Sequence, residues 1–505
     1  MDKRILTMLP HVVAVIFLSC TSQPIEQLTV TTSSEEAKRL FLEARYASQE
    51  NNGVDAREKY QAALAADPDF VLAKLYINEP DPVKWRQHRQ EAFAAKDQVS
   101  DMERSFVEIE EYAYQGNSDG RLEAARKLVS NHPNLPEAHF ELGWAFNLRR
   151  ELGNAAASFR RSIEIDPDFY NGWFSLASQH VAVGNNVELP EEEKDMDAAS
   201  AYADEMIRIR PDAGFSYQIK GNIYRQASDF ERAKKVYEKG IEADEASGSS
   251  HINTAILVSA HNLMFNGEFD EARERYDQSI SLARLPNGKI TLTIYKMFSF
   301  LHQNRFDEAI DLLAETESKI DNMDLSETGV RSWKAGLNFH KFLVYGHSQR
   351  KKEAFEAIET NIAFREKMMV ELDDEITRRD NTANFASLRA WCNVLFGDYD
   401  KAEKHLDEAK GILENINDPT ILEGYYGLKG MIALNRGKTS DAVEFFEKVD
   451  EANNLYYGYF KALALKGAGE DERSNDIFHN ITNWNFSSWH SAIVRNLAKK
   501  QLGLS

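Results

Sequence analysis

A pair of short amphipathic segments recurs along almost the whole length of this chain. This repetition limits the folds that the chain can adopt. The stretch 136–167 shows the unit most completely, with small residues at Gly143 and Ala155 among larger apolar ones. Its pattern predicts two helices, at about 139–150 and 154–165, with a turn between them. Small residues at facing positions let two helix backbones approach closely. The unit is therefore predicted to be a helical hairpin.

The same spacing returns along the chain. An alanine followed four residues later by Tyr, Leu or Phe also occurs at Ala56, Ala233, Ala272, Ala309, Ala402 and Ala442. A single hairpin cannot bury its apolar face alone, so tandem copies pack against their neighbours. With 505 residues, the chain is predicted to be one continuous array rather than several globular domains.

These spacings resemble the tetratricopeptide repeat family, whose period is 34 residues. The resemblance implies an all-α fold in which helical hairpins build a right-handed superhelical solenoid. We assign residues 37–248 to N-terminal repeats, 249–486 to C-terminal repeats and 487–505 to a capping helix. Residues 78–98 fit no repeat and are assigned to an irregular helical insert.

The amino terminus carries a different signal. A short basic head precedes a mostly apolar run at 5–18, which is too short for an ordinary membrane-spanning helix and typical of a signal peptide. The letters FLSC at 17–20 resemble the lipobox of bacterial lipoproteins, which implies removal of residues 1–19 and a lipid anchor on Cys20. A plain secretory signal with an incidental cysteine is the alternative. Residues 20–36, rich in Ser, Thr and Gln, are predicted to be a flexible tether.

Charge and cysteine content limit which classes of partner and which cellular compartment we expect. The net charge is −21, from 60 Lys and Arg against 81 Asp and Glu, which disfavours nucleic acid as a partner. If Cys20 is acylated, Cys392 has no cysteine to pair with, so packing must hold the body together. Thr21 is not the aspartate that retains lipoproteins in the inner membrane of some bacteria. We therefore expect a protein of the bacterial cell envelope, anchored to the outer membrane and facing the periplasm.

Three local patterns could carry chemistry, and their context argues against each. Ser118 lies in a G-x-S-x-G sequence, but helical periodicity precedes it where a nucleophile elbow needs a strand. His340 and His347 share a helix face, yet seven residues place them about 10 Å apart along the axis, too far for one metal ion. The glycines at 466–469 lack the spacing of a phosphate-binding loop. We predict no enzymatic activity, no cofactor and no metal site.

A solenoid offers a groove instead of a catalytic pocket, because its first helices line the concave face. Carried over by the resemblance, the groove positions are Phe140, Trp144, Asn147, Asn222, Arg225, His261, Met264, Phe298 and Trp391. Of these, Trp144, Phe298 and Trp391 occupy the equivalent place in three repeats. Exposed aromatics would suit the anchoring of a peptide. The alternative is that some of them pack between adjacent repeats.

Two functions fit these observations. The first is a lipid-anchored scaffold or adaptor that holds a protein or peptide partner in its groove without catalysis. The second is a glycan-binding or nutrient-binding lipoprotein of the starch-utilisation type, which also combines a lipid anchor with tetratricopeptide repeats but carries longer loops. An enzyme would require a catalytic domain outside the repeats, and 78–98 is too short for one.

Overall fold

The fold was determined as a computed structural model that describes residues 24–181, 183, 187–451 and 454–504. These residues contain 25 α-helices and two short 3-10 helices and no strand. Helices α1 to α12 span Glu35–Gln49, Gly53–Ala66, Val71–Tyr76, Pro82–Ala94, Asp101–Gln115, Ser118–Asn131, Pro136–Leu148, Leu152–Ile165, Tyr170–Ser178, Met196–Ile209, Gly214–Gln226 and Phe230–Ser247. Helices α13 to α25 span Ile252–Phe265, Phe269–Leu282, Pro286–Leu301, Phe306–Ile320, Glu327–His347, Lys351–Leu372, Glu375–Leu395, Tyr399–Leu413, Glu423–Asn435, Thr439–Phe446, Leu455–Ala468, Asp471–Asn483 and Trp489–Gln501.

The first 24 helices pair in sequence into twelve hairpins, and each hairpin packs on the next along the chain. This arrangement confirms the predicted all-α solenoid. The segment 78–98, predicted to be an irregular insert, folds into α4 and the 3-10 helix Lys96–Gln98. Helix α4 packs on the short helix α3, so the second hairpin is complete although its sequence does not show the repeat pattern.

A ring from the second helix lies over a small residue of the first helix in several hairpins. A Cβ added at Gly143 would lie only 2.3 Å from the ring of Phe159. The same pairing joins Gly221 with Tyr237 and Gly430 with Phe446. The nearest neighbour of Gly143 is thus the aromatic ring rather than Ala155. The small residue at this position makes room for a ring, and the ring in turn fills the hairpin core.

The solenoid winds tightly enough for hairpins about seven repeats apart to touch. The backbone N–H and the hydroxyl of Ser118, in the third hairpin, both donate to the carbonyl of Asn417, after the tenth, at 3.2 and 3.0 Å. Arg150 of the fourth hairpin forms an ion pair with Glu423 of the eleventh at 3.0 Å. Successive turns of the superhelix therefore lie against each other.

Residues 24–34 precede α1 and lie in extended form against the body. The backbone N–H of Glu26 donates to the carbonyl of Asn134 at 3.1 Å. The N–H of Thr31 donates to the fully buried carboxylate of Glu103 at 2.7 Å, and its hydroxyl donates to the same carboxylate. This segment is bound at both ends, in contrast to the flexible tether predicted for 20–36.

The described part of this terminus begins after the predicted anchor. Cys20 and the signal peptide predicted at 1–19 lie outside the described residues. Helix α1 begins at Glu35, close to the predicted start of the repeats at residue 37, and Ser34 caps it by accepting a hydrogen bond from the N–H of Ala37.

The C-terminal helix does more than close the end of the array. Helix α25 packs on α23 and α24, as the predicted cap would, but it also crosses to α15, four hairpins earlier in the chain. The side chain of Asn496 donates to the carbonyl of His302 at 2.7 Å. The segment 484–501 therefore lies across the concave face of the C-terminal half.

Candidate binding sites on the concave face

The structure places the nine predicted groove residues in two groups. Phe140 and Trp144 are half-buried and keep part of their rings accessible. The remaining residues are buried: Asn147, Asn222, Arg225, His261, Met264, Phe298 and Trp391. No partner is present to test any of the nine as a contact, so their role in binding stays a prediction. Their surroundings explain why most of them are covered.

Trp391 shows how the C-terminal segment fills the groove. Its indole N–H donates to the hydroxyl of Tyr456 at 3.0 Å, and its ring lies 5.4 Å from the ring of Trp489 on α25. Phe342 makes an edge contact with the same indole at 5.1 Å. Four aromatic rings thus form one cluster where the resemblance implied an open groove, and only 9% of Trp391 remains exposed.

Arg225 is held by the same C-terminal segment. Its Nε donates to the carbonyl of Asn485 at 2.9 Å, and the side-chain amide of Asn485 donates back to the carbonyl of Arg225 at 2.9 Å. A second guanidinium nitrogen donates to the carbonyl of Val258 at 3.3 Å. This buried cation is satisfied by carbonyl groups of its own chain, which leaves little of it for an external ligand.

Two polar groove residues hydrogen-bond within their own hairpins. The hydroxyl of Tyr237 donates to the side-chain oxygen of Asn222 at 2.8 Å. His261 and the hydroxyl of Tyr276 are hydrogen-bonded at 2.7 Å, and burial holds the pKa of His261 well below its ordinary value. Each pair joins equivalent positions of the first and second helices. These polar groups fix the hairpin geometry.

The N-terminal half keeps an open recess on its concave face, which we call the N-terminal cleft. It has a volume of about 310 Å³ and is lined by Arg45, Ser48, Gln49, Asn51, Tyr60, Tyr76, Glu137, Phe140, Glu141, Phe169, Asn171, Phe174 and Phe215. Six aromatic rings in this set give it a mainly apolar surface. Of the predicted residues only Phe140 lines it. The other lining residues come from the first, second, fourth, fifth and sixth hairpins, and they were missed because the recess forms only where these hairpins meet.

Charged groups sit at one side of the N-terminal cleft. Arg45 and Glu137 form a loose ion pair at 4.0 Å. Burial, with repulsion from Glu110, raises the pKa of Glu141 to about 7. The carboxylate of Glu141 is therefore partly protonated at neutral pH, so the cleft carries less negative charge than its composition implies.

A second recess lies at the middle of the superhelix, and we call it the central cavity. It has a volume of about 590 Å³ and is lined by Arg150, Val187, Glu188, Thr291, Ile294, Tyr295, Phe298, Trp333, His340, Leu455, Trp484, Phe486, Ser487, Ser488, Trp489 and His490. Helix α15, helix α17 and the segment 484–490 supply most of this wall. The cavity exists because residues distant in sequence meet there, so no local motif could have revealed it.

The patterns considered for catalysis have structural roles. Ser118 is the first residue of α6, and its hydroxyl is engaged by Asn417. His340 and His347 are packed against Phe298 and Tyr456, and burial lowers the pKa of each histidine to about 4. Helix α23 ends within the stretch 466–469. Among the described residues, no group of three or more His, Cys, Asp or Glu side chains is arranged to hold a metal ion.

Within residues 24–504, apart from the few left undescribed, no helix is both long and apolar enough to cross a membrane.

Comparison with known families identifies the repeats. A family profile described as tetratricopeptide repeat matches residues 106–168, and a second profile of the same description matches 216–247 and 424–454. Three stretches of this chain therefore resemble tetratricopeptide repeats. The matched stretches cover most of α5 and then α6 to α8, most of α11 with α12, and α21 with α22. The repeats therefore occur in both halves of the solenoid.

Individual relatives are distant. Over 152 residues the chain is 21% identical to anaphase-promoting complex subunit 3 of Schizosaccharomyces pombe. The match covers 30% of this chain and 21% of that protein, so this chain spans only about a fifth of its relative's length. Two crystal structures of MamA are 18% and 20% identical. They cover 42% and 34% of this chain and 94% and 98% of their own, with TM-scores of 0.24 and 0.27.

Proposed function

We propose that this protein is a lipid-anchored scaffold of the bacterial cell envelope that binds a partner protein, without catalysis, in its N-terminal cleft. The observation that carries the proposal is a contrast in the concave face: residues 484–501 lie across the C-terminal half, where they form one wall of the central cavity, whereas the N-terminal cleft remains open. Tandem tetratricopeptide repeats support a protein partner, since arrays of this kind present extended concave surfaces. The partner is not nucleic acid, because the chain is strongly acidic.

The composition of the N-terminal cleft suits a segment of a folded or extended partner. Rings such as Phe140, Phe169 and Phe174 offer apolar contact, and polar residues such as Ser48 and Asn171 surround them. Buried aromatic contacts surrounded by a polar rim are the usual source of binding energy in protein interfaces. The cleft is thus the part of the predicted groove that a partner can reach.

The proposed anchor is Cys20, and the bound segment 24–34 limits how far the body can lie from the membrane. Five residues lie between Cys20 and Glu26, and the six Cα–Cα steps that join them span at most about 22 Å whatever their conformation. Glu26 is fixed to the body through Asn134. Next to it, the side chain of Ile25 is 47% exposed. We infer that the edge of the body near Asn134 faces the membrane.

A photo-crosslinking amino acid placed at Asn171 tests the cleft directly. Asn171 is a half-buried polar residue that makes no hydrogen bond essential to its repeat, and Asn322 in the turn after α16 is an exposed control of the same type. Irradiation of intact envelopes should join a protein to position 171 and none to position 322. A protein joined equally at both positions, or at neither, would rule out the cleft as the binding site.

The anchor is tested by Cys20→Ala. The lipid-modified wild type should fractionate with the outer membrane, and the variant should be released into the soluble periplasmic fraction. A matched Cys392→Ala variant should stay in the membrane fraction, because Cys392 is buried in the body. If the Cys20→Ala protein also stays in the membrane, the proposed anchor is wrong, whereas the cleft experiment keeps its meaning.

A further inference from the structure

The central cavity is built from segments that come from six parts of the chain. Tyr295 and Phe298 of α15, Trp333 of α17, and Trp489 of α25 present aromatic rings to it. The loop containing Glu188 and the turn at Arg150 close the other side. A volume of about 590 Å³ falls within the range typical of small-molecule sites in proteins.

The formal charges in the cavity wall are compensated within the protein. Arg150 forms ion pairs with Glu423 at 3.0 Å and with Asp450. Glu188 is paired with Lys194 at 3.0 Å, and both side chains are only 4% exposed. A charged guest would lose part of its hydration shell without gaining a free counter-ion in the wall, which is unfavourable. The wall therefore selects for an uncharged ligand.

The two histidines of the wall do not change this charge. Burial lowers the pKa of His340 and of His490 to about 4, so both imidazoles are neutral at physiological pH. Neutral imidazole offers one donor and one acceptor nitrogen to a hydrogen-bonding ligand.

Several hydrogen-bonding atoms of the wall have no partner in the protein. They are Nδ1 of His340, Nε1 of Trp484 and Oγ of Ser487, and Ser487 is only 2% exposed. An unpaired buried polar atom destabilises the fold, so three in one cavity wall are unusual in a native protein. All three atoms are shielded from solvent, so a ligand with several donor and acceptor groups would satisfy them only after the side chains turn toward the cavity.

We propose that the central cavity binds an uncharged, polyhydroxylated ring compound of the size of a mono- or disaccharide. Aromatic faces in the wall pack against the C–H surfaces of such a ring, and its hydroxyl groups supply donors and acceptors together. A purely apolar guest would leave the three polar atoms unsatisfied. This site is separate from the N-terminal cleft, and it is the observation that favours the glycan-binding alternative raised by the sequence.

Tryptophan fluorescence of the full-length protein in detergent tests the proposal, because Trp333, Trp484 and Trp489 lie in the cavity wall. The probes are glucose, galactose, N-acetylglucosamine, maltose, cellobiose and lactose, titrated to millimolar concentration, with galacturonate as a charged comparison. At least one neutral sugar should change the emission in a saturable way, and galacturonate should bind more weakly. No saturable change with any neutral sugar, or tighter binding of galacturonate, would overturn the proposal.

Ser487→Ala locates any binding that is found. It removes an unpaired hydroxyl without removing a hydrogen bond, so the variant should fold as the wild type does. Its affinity for the active sugar should fall about tenfold, the loss expected for one hydrogen bond of about 1.4 kcal/mol. Ser318→Ala, at an exposed position on α16, is the matched control and should bind as the wild type does. Equal affinity of the Ser487→Ala protein and the control would place the sugar elsewhere and overturn the proposal.

Discussion

Trp144 and Trp391 occupy the same position of their repeats, one in each half of the solenoid, and their surroundings differ. Trp144 is half-buried and packs on Phe159 of its own hairpin. Trp391 is enclosed by rings from three other helices, including Trp489 of α25. The comparison teaches that the repeat position alone does not decide whether a groove residue is available. What decides it is whether a distant segment of the chain returns to cover that part of the groove.

The largest expected effect separates the two tryptophans. Trp391→Ala removes a ring from a closed aromatic cluster and should lower the free energy of unfolding by about 3–5 kcal/mol. Trp144→Ala, the matched variant, should cost about 2 kcal/mol, because part of that ring is already in contact with solvent. Urea unfolding followed by the helical circular dichroism signal measures both. Equal losses would show that the two halves of the groove are covered alike.

A pair of glycines tests whether the open half is nonetheless tightly packed within its hairpins. Gly143→Ala places a Cβ against the ring of Phe159 and should destabilise the protein by about 1–3 kcal/mol. Gly153→Ala, in the same hairpin, has no atom within 4 Å of the added Cβ and should be neutral or stabilising by up to about 1 kcal/mol. The midpoints of thermal and urea unfolding measure the stability of both variants. A tolerated Gly143→Ala would mean that the hairpin is looser than the geometry shows.

A smaller effect is expected where the C-terminal segment is attached to the sixth hairpin. Asn485→Ala removes the amide that donates to Arg225 and to Ser228 and should cost about 1–2 kcal/mol. Faster amide exchange in α25 than in the wild type should accompany the loss. Asn483→Ala, two residues earlier and exposed, serves as the control. Unchanged exchange in the Asn485→Ala protein would contradict the role given to this contact.

A pH-dependent effect concerns the half-buried carboxyl of Glu141 in the N-terminal cleft. The pKa of Glu141 is raised to about 7 in the folded protein from an ordinary value of 4.5, so its ionisation opposes folding. Its contribution makes the protein less stable as the pH rises from about 4.5 to 7, with no further change above that range. Glu141→Gln should remove this slope and leave the variant more stable than the wild type at pH 8. Unfolding midpoints at pH 5 and pH 8 measure it.

The matched control for that pH dependence is Glu242→Gln, an exposed substitution on α12. It should retain the slope of the wild type. If both variants behave as the wild type does, Glu141 is not the group responsible, and the cleft is better hydrated than its lining indicates.

The helical hairpins were predictable because each depends on residues close in sequence. The spacing of Gly143 and Ala155 predicts two helices joined by one turn, and periodicity alone reveals that. It did not predict that the ring of Phe159, rather than Ala155, lies over Gly143. The second hairpin was missed because α3 is short and lacks the pattern, so its packing on α4 follows from tertiary contact. The local sequence pattern thus predicted the repeat architecture but not every hairpin in it.

The candidate sites were less predictable, because they depend on contacts between residues far apart in the chain. The covering of Trp391 by Trp489 joins positions almost one hundred residues apart, and the bond between Arg225 and Asn485 spans far more. The bound state of residues 24–34 likewise depends on Glu103, which lies in the third hairpin. Composition rich in Ser and Thr indicated flexibility there, but those same hydroxyls are the groups that attach the segment to the body.

Hydrogen–deuterium exchange of the full-length protein without added partner tests the division of the concave face most directly. The account predicts that amides of α25 exchange as slowly as those of α15, on which α25 packs, and that Asn485 is protected together with them. Fast exchange throughout 484–501, with α15 still protected, would show that this segment does not occupy the groove. In that case the C-terminal half would be open as well, and the distinction between the two halves would be lost.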